Sequence, residues 1–255
     1  MSVIIQYDPF NRMGNRMFQY AFGHILASKT NRSLYHDELP NFGIPVHAVK
    51  EVIEPILHTK SMGNQYVDTE ALYNHPGTII IDSYLQKSEY YKNYRDLLRA
   101  AFNIKKSDPI NSDSLVVHIR ETDYTLIDCF LEYDFYKSLI DKSGFTNIKI
   151  VTDNSTCDTV QKLVSDGCSL ISEGVVDKFV THSDDRSMSD LFTLIHSENI
   201  ALSQSSFSWW GAFLGFHKKI IFPYSTKIGM WPITPETDDI DLFFDFNDTS
   251  IKYID

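Results

Sequence analysis

The sequence predicts an α/β protein of two domains, the second built from parallel βαβ units, and three observations carry that expectation. Short, almost wholly apolar runs recur at 3–5, 78–81, 115–119, 148–151 and 220–222, as buried strands of parallel sheets do. Stretches with apolar residues three and four apart alternate with them, the periodicity of helices packed on a sheet. A polar, proline-bearing interval at 103–114 resets the pattern, which places the boundary between a domain at 1–108 and a domain at 109–255. At about 150 residues per domain, a chain of 255 residues suits two small domains or one large one.

In order, the run 3–5 is a strand, and a polar turn around Gly14 leads into a helix over 17–29. Met17, Tyr20, Ala21, His24, Ile25 and Ala27 make its buried stripe. Leu34 and Tyr35 open the next strand, whereas 36–75 shows no usable periodicity. The strand at 78–81 is followed by a helix expected to run unbroken over 88–102. Beyond the boundary come strand 115–119, helix 132–143, strand 148–151, helix 156–166 and a short strand at 168–171. Helix 187–197, strand 199–202, helix 207–217 and strand 220–222 complete the alternation. In open sheets of this type ligands lie beyond the carboxyl ends of the strands, so the residues just after each strand matter most.

Composition narrows the function. Apolar residues are 43% and Phe, Tyr and Trp together 13%, enough for a sizeable core and incompatible with intrinsic disorder. The net charge is −11 and the pI near 5.2, so no broad basic face awaits nucleic acid. An anionic small ligand must instead be met by a few locally placed Arg or Lys residues. Three cysteines without CxxC spacing read as reduced thiols rather than a zinc site or a disulfide framework. No run approaches 18 apolar residues and no basic segment precedes the first strand. The expectation is therefore a cytoplasmic protein without a membrane segment, in which the sequons at Asn31, Asn154 and Asn247 are fortuitous.

Three post-strand segments carry chemistry-bearing residues. In the first, from Arg12 to Tyr20, Gly14 permits a positive φ or a close approach, and the start of the helix offers N–H groups to an anion. The plain alternative is an ordinary turn capped by Asn15. The second is His118-Ile119-Arg120-Glu121-Thr122-Asp123-Tyr124, at the end of an apolar strand where charge is costly unless it has a task. There Arg120 suits a phosphate bidentately, and Asp123 either holds Arg120 in a structural ion pair or accepts from a ligand hydroxyl. The third is Ser203-Gln204-Ser205-Ser206-Phe207-Ser208-Trp209-Trp210-Gly211-Ala212. Its hydroxyls and free amides at a strand-to-helix turn form a phosphate cradle without lysine, or simply a cap followed by core aromatics.

Together these segments resemble the α-1,2-fucosyltransferase family, glycosyltransferase family eleven. Its opening motif G-[RG]-[LM]-G-N-Q-M-F-Q-Y-A is similar to Asn11-Arg12-Met13-Gly14-Asn15-Arg16-Met17-Phe18-Gln19-Tyr20-Ala21. Its G-Y-F-Q-S-x-x-Y-F stretch resembles the run from Ser83 to Tyr91, and its H-[VI]-R-R-x-D-Y motif the run from His118 to Tyr124. An S-D-D segment corresponds to Thr152-Asp153-Asn154. The long run ending N-S-[ST]-F-S-W-W-G-A-x-L corresponds to Asp190-Leu191 through Ser205, Ser206, Phe207, Ser208, Trp209, Trp210, Gly211 and Ala212 to Leu214. The motifs keep the family's order over residues 3 to about 232.

The resemblance implies a GT-B fold, two Rossmann-like domains facing across a donor/acceptor cleft. It implies inverting transfer of L-fucose from GDP-fucose to a sugar hydroxyl, with the nucleotide sugar as donor, a glycan as acceptor, and neither metal nor cofactor. Donor-binding residues would be His118, Arg120, Asp123, Asp153, Ser205, Ser206, Phe207 and Ser208, with Arg12, Gly14 and Arg16 from the first motif. Arg120 and the 205–208 turn would stabilise the charge on the departing diphosphate. Asn15 would position the acceptor and the sugar by hydrogen bonds, with Asp8 as the fallback base. No acidic triplet marks a strand end, and Asp184-Asp185 and Asp238-Asp239 read as solvated loop charges. Two residues depart from the pattern. Glu121 replaces the second motif arginine, so it either points away from a diphosphate or reads a different donor. Arg16 stands for the usual glutamine and is expected to restore positive charge from across the cleft. Two alternatives stay open: the same scaffold moving another sugar, such as xylose or rhamnose, and a non-catalytic nucleotide-sugar or glycan-binding protein.

Overall fold

A computed structural model describes residues 1–8, 12–121, 130–171, 186–226 and 229–255. The backbone divides into two compact units, one of residues 1–104 with 235–242 and one of residues 105–234 with 243–255. The expected halves, 1–108 and 109–255, differ from this in two respects: the division falls four residues earlier, and residues 235–242 belong to the first unit. Periodicity cannot reveal such a return, because it is made by contacts and not by pattern.

In the first unit, strand β1 (Ser2–Ile5) leads into helix α1 (Met13–Thr30), and strand β2 (Ser33–Tyr35) follows at once. Asn31 ends α1 in the left-handed region, φ 52°, with its N–H bonded to the Ala27 carbonyl, a conformation asparagine tolerates better than most residues. Within 36–75 the structure has strand β3 (Ile56–His58) and helix α2 (Thr69–Asn74). The strand is too short to show a period. The helix is announced by Asp68, whose carboxylate caps the N–H groups of Glu70 and Ala71. Strand β4 (Thr78–Ile81) completes a wholly parallel sheet of order β2-β1-β4-β3.

The helix expected over 88–102 is broken. Two 3₁₀ turns, Ser88–Tyr90 and Lys92–Tyr94, precede a shorter helix, α3 (Arg95–Ala101). Tyr91 is the reason. It is fully buried, and its hydroxyl donates to the carbonyls of Leu85 at 2.8 Å and Phe18 at 3.3 Å. Satisfying that buried hydroxyl outweighs helix propensity over one turn.

The second unit opens with strand β5 (Leu115–Ile119), buried at every position, and continues through helix α4 (Tyr133–Ser143), strand β6 (Ile148–Thr152) and helix α5 (Asp158–Ser165). Strand β7 (Ser169–Leu170), helix α6 (Arg186–His196), strand β8 (Asn199–Ala201), helix α7 (Ser206–Leu214) and strand β9 (Lys219–Tyr224) follow. A last strand, β10 (Ser250–Ile254), pairs in parallel with β9 and was not apparent in the sequence, being an edge strand with mostly exposed side chains. The sheet order is β10-β9-β8-β5-β6-β7, the doubly wound arrangement in which the order reverses between β5 and β8.

Trp209 and Trp210 are fully buried and belong to the core, with Trp209 stacked on Phe213 at 4.7 Å between centroids. Gly211 lets α7 approach α6, since a Cβ there would stand 2.6 Å from the Leu194 Cβ. The glycine thus directs the close packing of α7 at a neighbouring helix. Gly211→Ala should cost about 1–3 kcal/mol, the range for overfilling a packed core. A denaturant midpoint unchanged from that of the parent protein would contradict this packing.

Candidate functional site

In a doubly wound sheet the crevice for a ligand opens where the strand order reverses, beyond the carboxyl ends of the two strands concerned. In the second unit those strands are β5 and β8. The first delivers His118, Arg120 and Glu121, and the second delivers the serine turn that starts α7.

The two strand ends are joined by a hydrogen bond between His118 Nδ1 and Ser203 Oγ, 2.7 Å long and buried on both sides. Burial lowers the His118 pKa to about 4, against a smaller opposing pull from Asp153, so the imidazole is neutral at pH 7. Its ring lies 5.5 Å from that of Phe207, tilted by 31°. Ser203 and Ser208 hydroxyls stand 3.4 Å apart, and Ser208 Oγ lies 3.2 Å from the carbonyls of Ser203 and of Ser205. Ser205 Oγ accepts from Phe207 N as the helix N-cap. Ser208 is fully buried and Ser205 nearly so, which makes both hydroxyls part of the turn's internal scaffold. What this scaffold presents is the N-terminus of α7 itself, with Ser206 and Phe207 only half-buried.

Beside it, Arg120 Nη1 contacts Asp153 Oδ2 at 3.0 Å, both side chains being mostly buried. Asp153, just past β6, also accepts from the Glu121 backbone N–H through Oδ1 at 3.3 Å. One carboxylate therefore fixes the start of the segment after β5 twice over. The expected partner of Arg120, Asp123, lies outside the described residues; the ion pair that is described is made with Asp153. The Glu121 carboxylate lies beside Cys157, the N-cap of α5. Burial first, and then that carboxylate, push the Cys157 thiol up to about 12. Sequence reasoning passed over Arg186, the first residue of α6, whose Nη2 donates to the Thr152 carbonyl at 3.4 Å. It brings a second guanidinium, exposed where that of Arg120 is mostly buried, to the end of β6. Its position at the start of an amphipathic helix was the available signal.

In the first unit the segment after β1 differs from expectation. Gly14 and Asn15 lie inside the first turn of α1, and Arg12 is its N-cap, with its carbonyl accepting from the N–H groups of Asn15 and Arg16. Gly14 is thus a buried helical residue and makes no left-handed turn, because the helix begins four residues earlier than its apolar stripe suggests. Arg12 and Asp8 are exposed, and the Arg16 guanidinium lies 5.5 Å from the Tyr7 ring centroid. Burial, chiefly, raises the pKa of the Tyr7 phenol, whose hydroxyl has no hydrogen-bond partner.

Asn15 is held by a residue that sequence reasoning did not single out. Gln86 Nε2 donates to Asn15 Oδ1 at 2.8 Å, joining the first motif to the Ser83–Tyr91 stretch that was read separately. The preceding Leu85 sits at φ 59°, fully buried. For a branched residue this conformation costs about 1–3 kcal/mol and persists only where surrounding contacts impose it. Asp238, read as a solvated loop charge, instead accepts three backbone N–H bonds, from Asn64, Gln65 and Tyr66. Among the described residues no three His, Cys, Asp or Glu side chains converge as a metal site.

No family model and no curated protein sequence matches the chain. Among solved structures it is similar to a point mutant of FUT1 from Arabidopsis thaliana in complex with GDP, with TM-score 0.51, 11% identity and coverage of 93% of this chain and 72% of that one. It is also similar to the E. coli heptosyltransferase WaaC with ADP, with TM-score 0.49, 12% identity and coverage of 100% and 93%. The NodZ α-1,6-fucosyltransferase of Bradyrhizobium soaked with GDP-fucose gives TM-score 0.47, 12% identity and coverage of 86% and 94%. The similarity to the plant structure concerns the fold, which is α/β of the GT-B type.

The buried imidazole has a thermodynamic signature. The unfolded chain protonates His118 near pH 6.5 and the folded one only near 4, so stability is intact above 6.5 and falls as pH drops between these values. The full loss is roughly 3 kcal/mol at 1.36 kcal/mol per pKa unit. Urea titrations at pH 7 and pH 4.5 should show a smaller loss for His118→Gln than for the parent, and equal losses would rule out a buried neutral His118.

Proposed function

We propose that the protein is an inverting, metal-independent glycosyltransferase that moves L-fucose from GDP-fucose to a sugar hydroxyl, with 2-linkage as the family-eleven resemblance implies. The observation that carries the reading is the pairing, at the reversal point of a doubly wound sheet, of an Asp153-anchored Arg120 with the capped N-terminus of α7. Both favour an anion at the place where such folds take their ligands. The order of the motifs along the chain supports fucose, and the GT-B type fold supports glycosyl transfer.

In this reading the donor diphosphate lies against Arg120 and the first turn of α7. As the bond from the anomeric carbon to the diphosphate breaks, negative charge grows on the phosphate oxygen. Preorganised cationic and amide donors stabilise that growth without a metal. The acceptor oxygen forms the new bond on the opposite face of the sugar ring, and its proton passes to solvent or to a base. Asn15 positions the sugar by hydrogen bonding, and Asp8, exposed at the end of the first strand, is the base if one is used. Glu121 lies beside Cys157, an arrangement that supports a carboxylate turned from the phosphates. Xylose or rhamnose donors on the same scaffold are the second form of the reading.

Arg120→Ala should lose about 2–4 kcal/mol of transition-state stabilisation, one to three orders of magnitude in turnover. Turnover within threefold of the parent would remove Arg120 from the reaction. Replacing Asp8 by Asn should leave turnover within a few-fold and Asn15→Ala should not; the opposite ranking assigns the base to Asp8, since general-base help is worth about 10²–10⁴-fold. A thermal-shift panel of GDP, UDP and dTDP sugars identifies the donor. Slow GDP release from GDP-fucose alone separates an enzyme from a binding module. Activity should survive excess EDTA.

A further inference from the structure

Within the first unit, the segment 235–242 bonds to residues 64–66 through the Asp238 carboxylate. Asp238 Oδ1 accepts from Gln65 N at 2.9 Å and Tyr66 N at 3.0 Å, and Oδ2 accepts from Asn64 N at 3.4 Å. Burial opposes its ionisation, but the three N–H donors and Lys87 outweigh that and hold the carboxyl below the usual range. The approach depends on Gly63, where a Cβ would come within 2.5 Å of Oδ1.

From there the contacts run on without a gap. Gln65 is buried, and its Oε1 accepts from Gln86 N at 2.8 Å. Gln86, also buried, donates through Nε2 to Asn15 Oδ1 at 2.8 Å. The same segment grips Gln86 a second time, for Asp241 N donates to the Gln86 carbonyl at 3.0 Å and Ser88 N donates to the Asp241 carbonyl at 2.7 Å. The Gln86 main chain is therefore bonded on both sides, directly behind the left-handed Leu85, and only its side chain is left to reach α1.

We propose that Asp238 is a positioning residue which, through Gln65 and Gln86, sets the side-chain amide of Asn15 at the start of α1. A carboxylate is needed because only an acceptor on both oxygens satisfies three converging N–H groups. An asparagine turns one of those acceptors into a donor facing another donor. The loop 63–66 then shifts, Gln65 Oε1 shifts with it, and Gln86 no longer presents its amide to Asn15 in one orientation. The functional consequence rests on the reading that Asn15 touches the sugar during transfer, whereas the structural coupling does not.

The test has two readouts. In ¹⁵N-labelled protein the Asn15 side-chain amide pair is assigned by its loss in Asn15→Ala. That pair should move or broaden in Asp238→Asn and in Gln65→Leu, the second variant removing the relay acceptor without touching the carboxylate. Unmoved Asn15 signals in either variant, once folded by circular dichroism, overturn the proposal. With GDP-fucose as donor, kcat should fall about tenfold in Asp238→Asn with donor KM unchanged. On an Asn15→Ala background the same substitution should change kcat less than twofold, because residues acting through one another are not additive. Losses that multiply indicate a merely structural Asp238 and overturn the proposal. If Asn15→Ala alone leaves turnover intact, it is the role of Asn15 that fails, and the amide signals still decide the coupling.

Discussion

An imidazole buried between two parallel strands is tolerable only if it stays neutral and one of its nitrogens finds a partner, and His118 meets both conditions through Ser203. The bond spans the place where the order of the second sheet reverses, and much else is referred to it. Ser203 is linked to Ser208, Ser208 to the Ser203 and Ser205 carbonyls, and Ser205 caps α7. The orientation of the helix N-terminus is thereby tied to the strand that carries Arg120. Hydroxyls that look in the sequence like ligands are largely consumed in building the surface a ligand would meet.

The electrostatics follow the same economy. A chain of net charge −11 offers an anion no general attraction, so affinity must come from local groups held in place. Asp153 supplies that by restraining Arg120 with one oxygen and the Glu121 main chain with the other. A second guanidinium, that of Arg186, is steered to the end of β6 by a carbonyl, not by a carboxylate.

The alternation of strands and helices in the second unit was legible because its strands β5, β6, β8 and β9 are buried at nearly every position and read as apolar runs, β5 above all. What was not legible had no local signature. β10 is an exposed edge, β3 is three residues long, and the helix after β4 is interrupted by the demands of one buried tyrosine hydroxyl. At the site, the residue types at the strand ends were readable and their partners were not. Arg120 pairs with Asp153, 33 positions away in the chain, a separation at which spacing gives no signal. Gln86 and Asp238 matter through bonds to residues 71 and 173 positions distant, separations over which a single sequence carries no pattern.

Because residues 235–242 complete the first unit, the order of synthesis and the order of folding cannot coincide. Residue 104 leaves the ribosome about 130 residues before the segment that caps the amides of 64–66 and pairs with the 86–88 stretch. At translation rates of about 5–20 residues per second, that is an interval of roughly 6–26 s. Throughout it the nascent first sheet must hold its own core while those N–H groups remain bonded to water. Residues 235–242 then finish what residues 1–104 began.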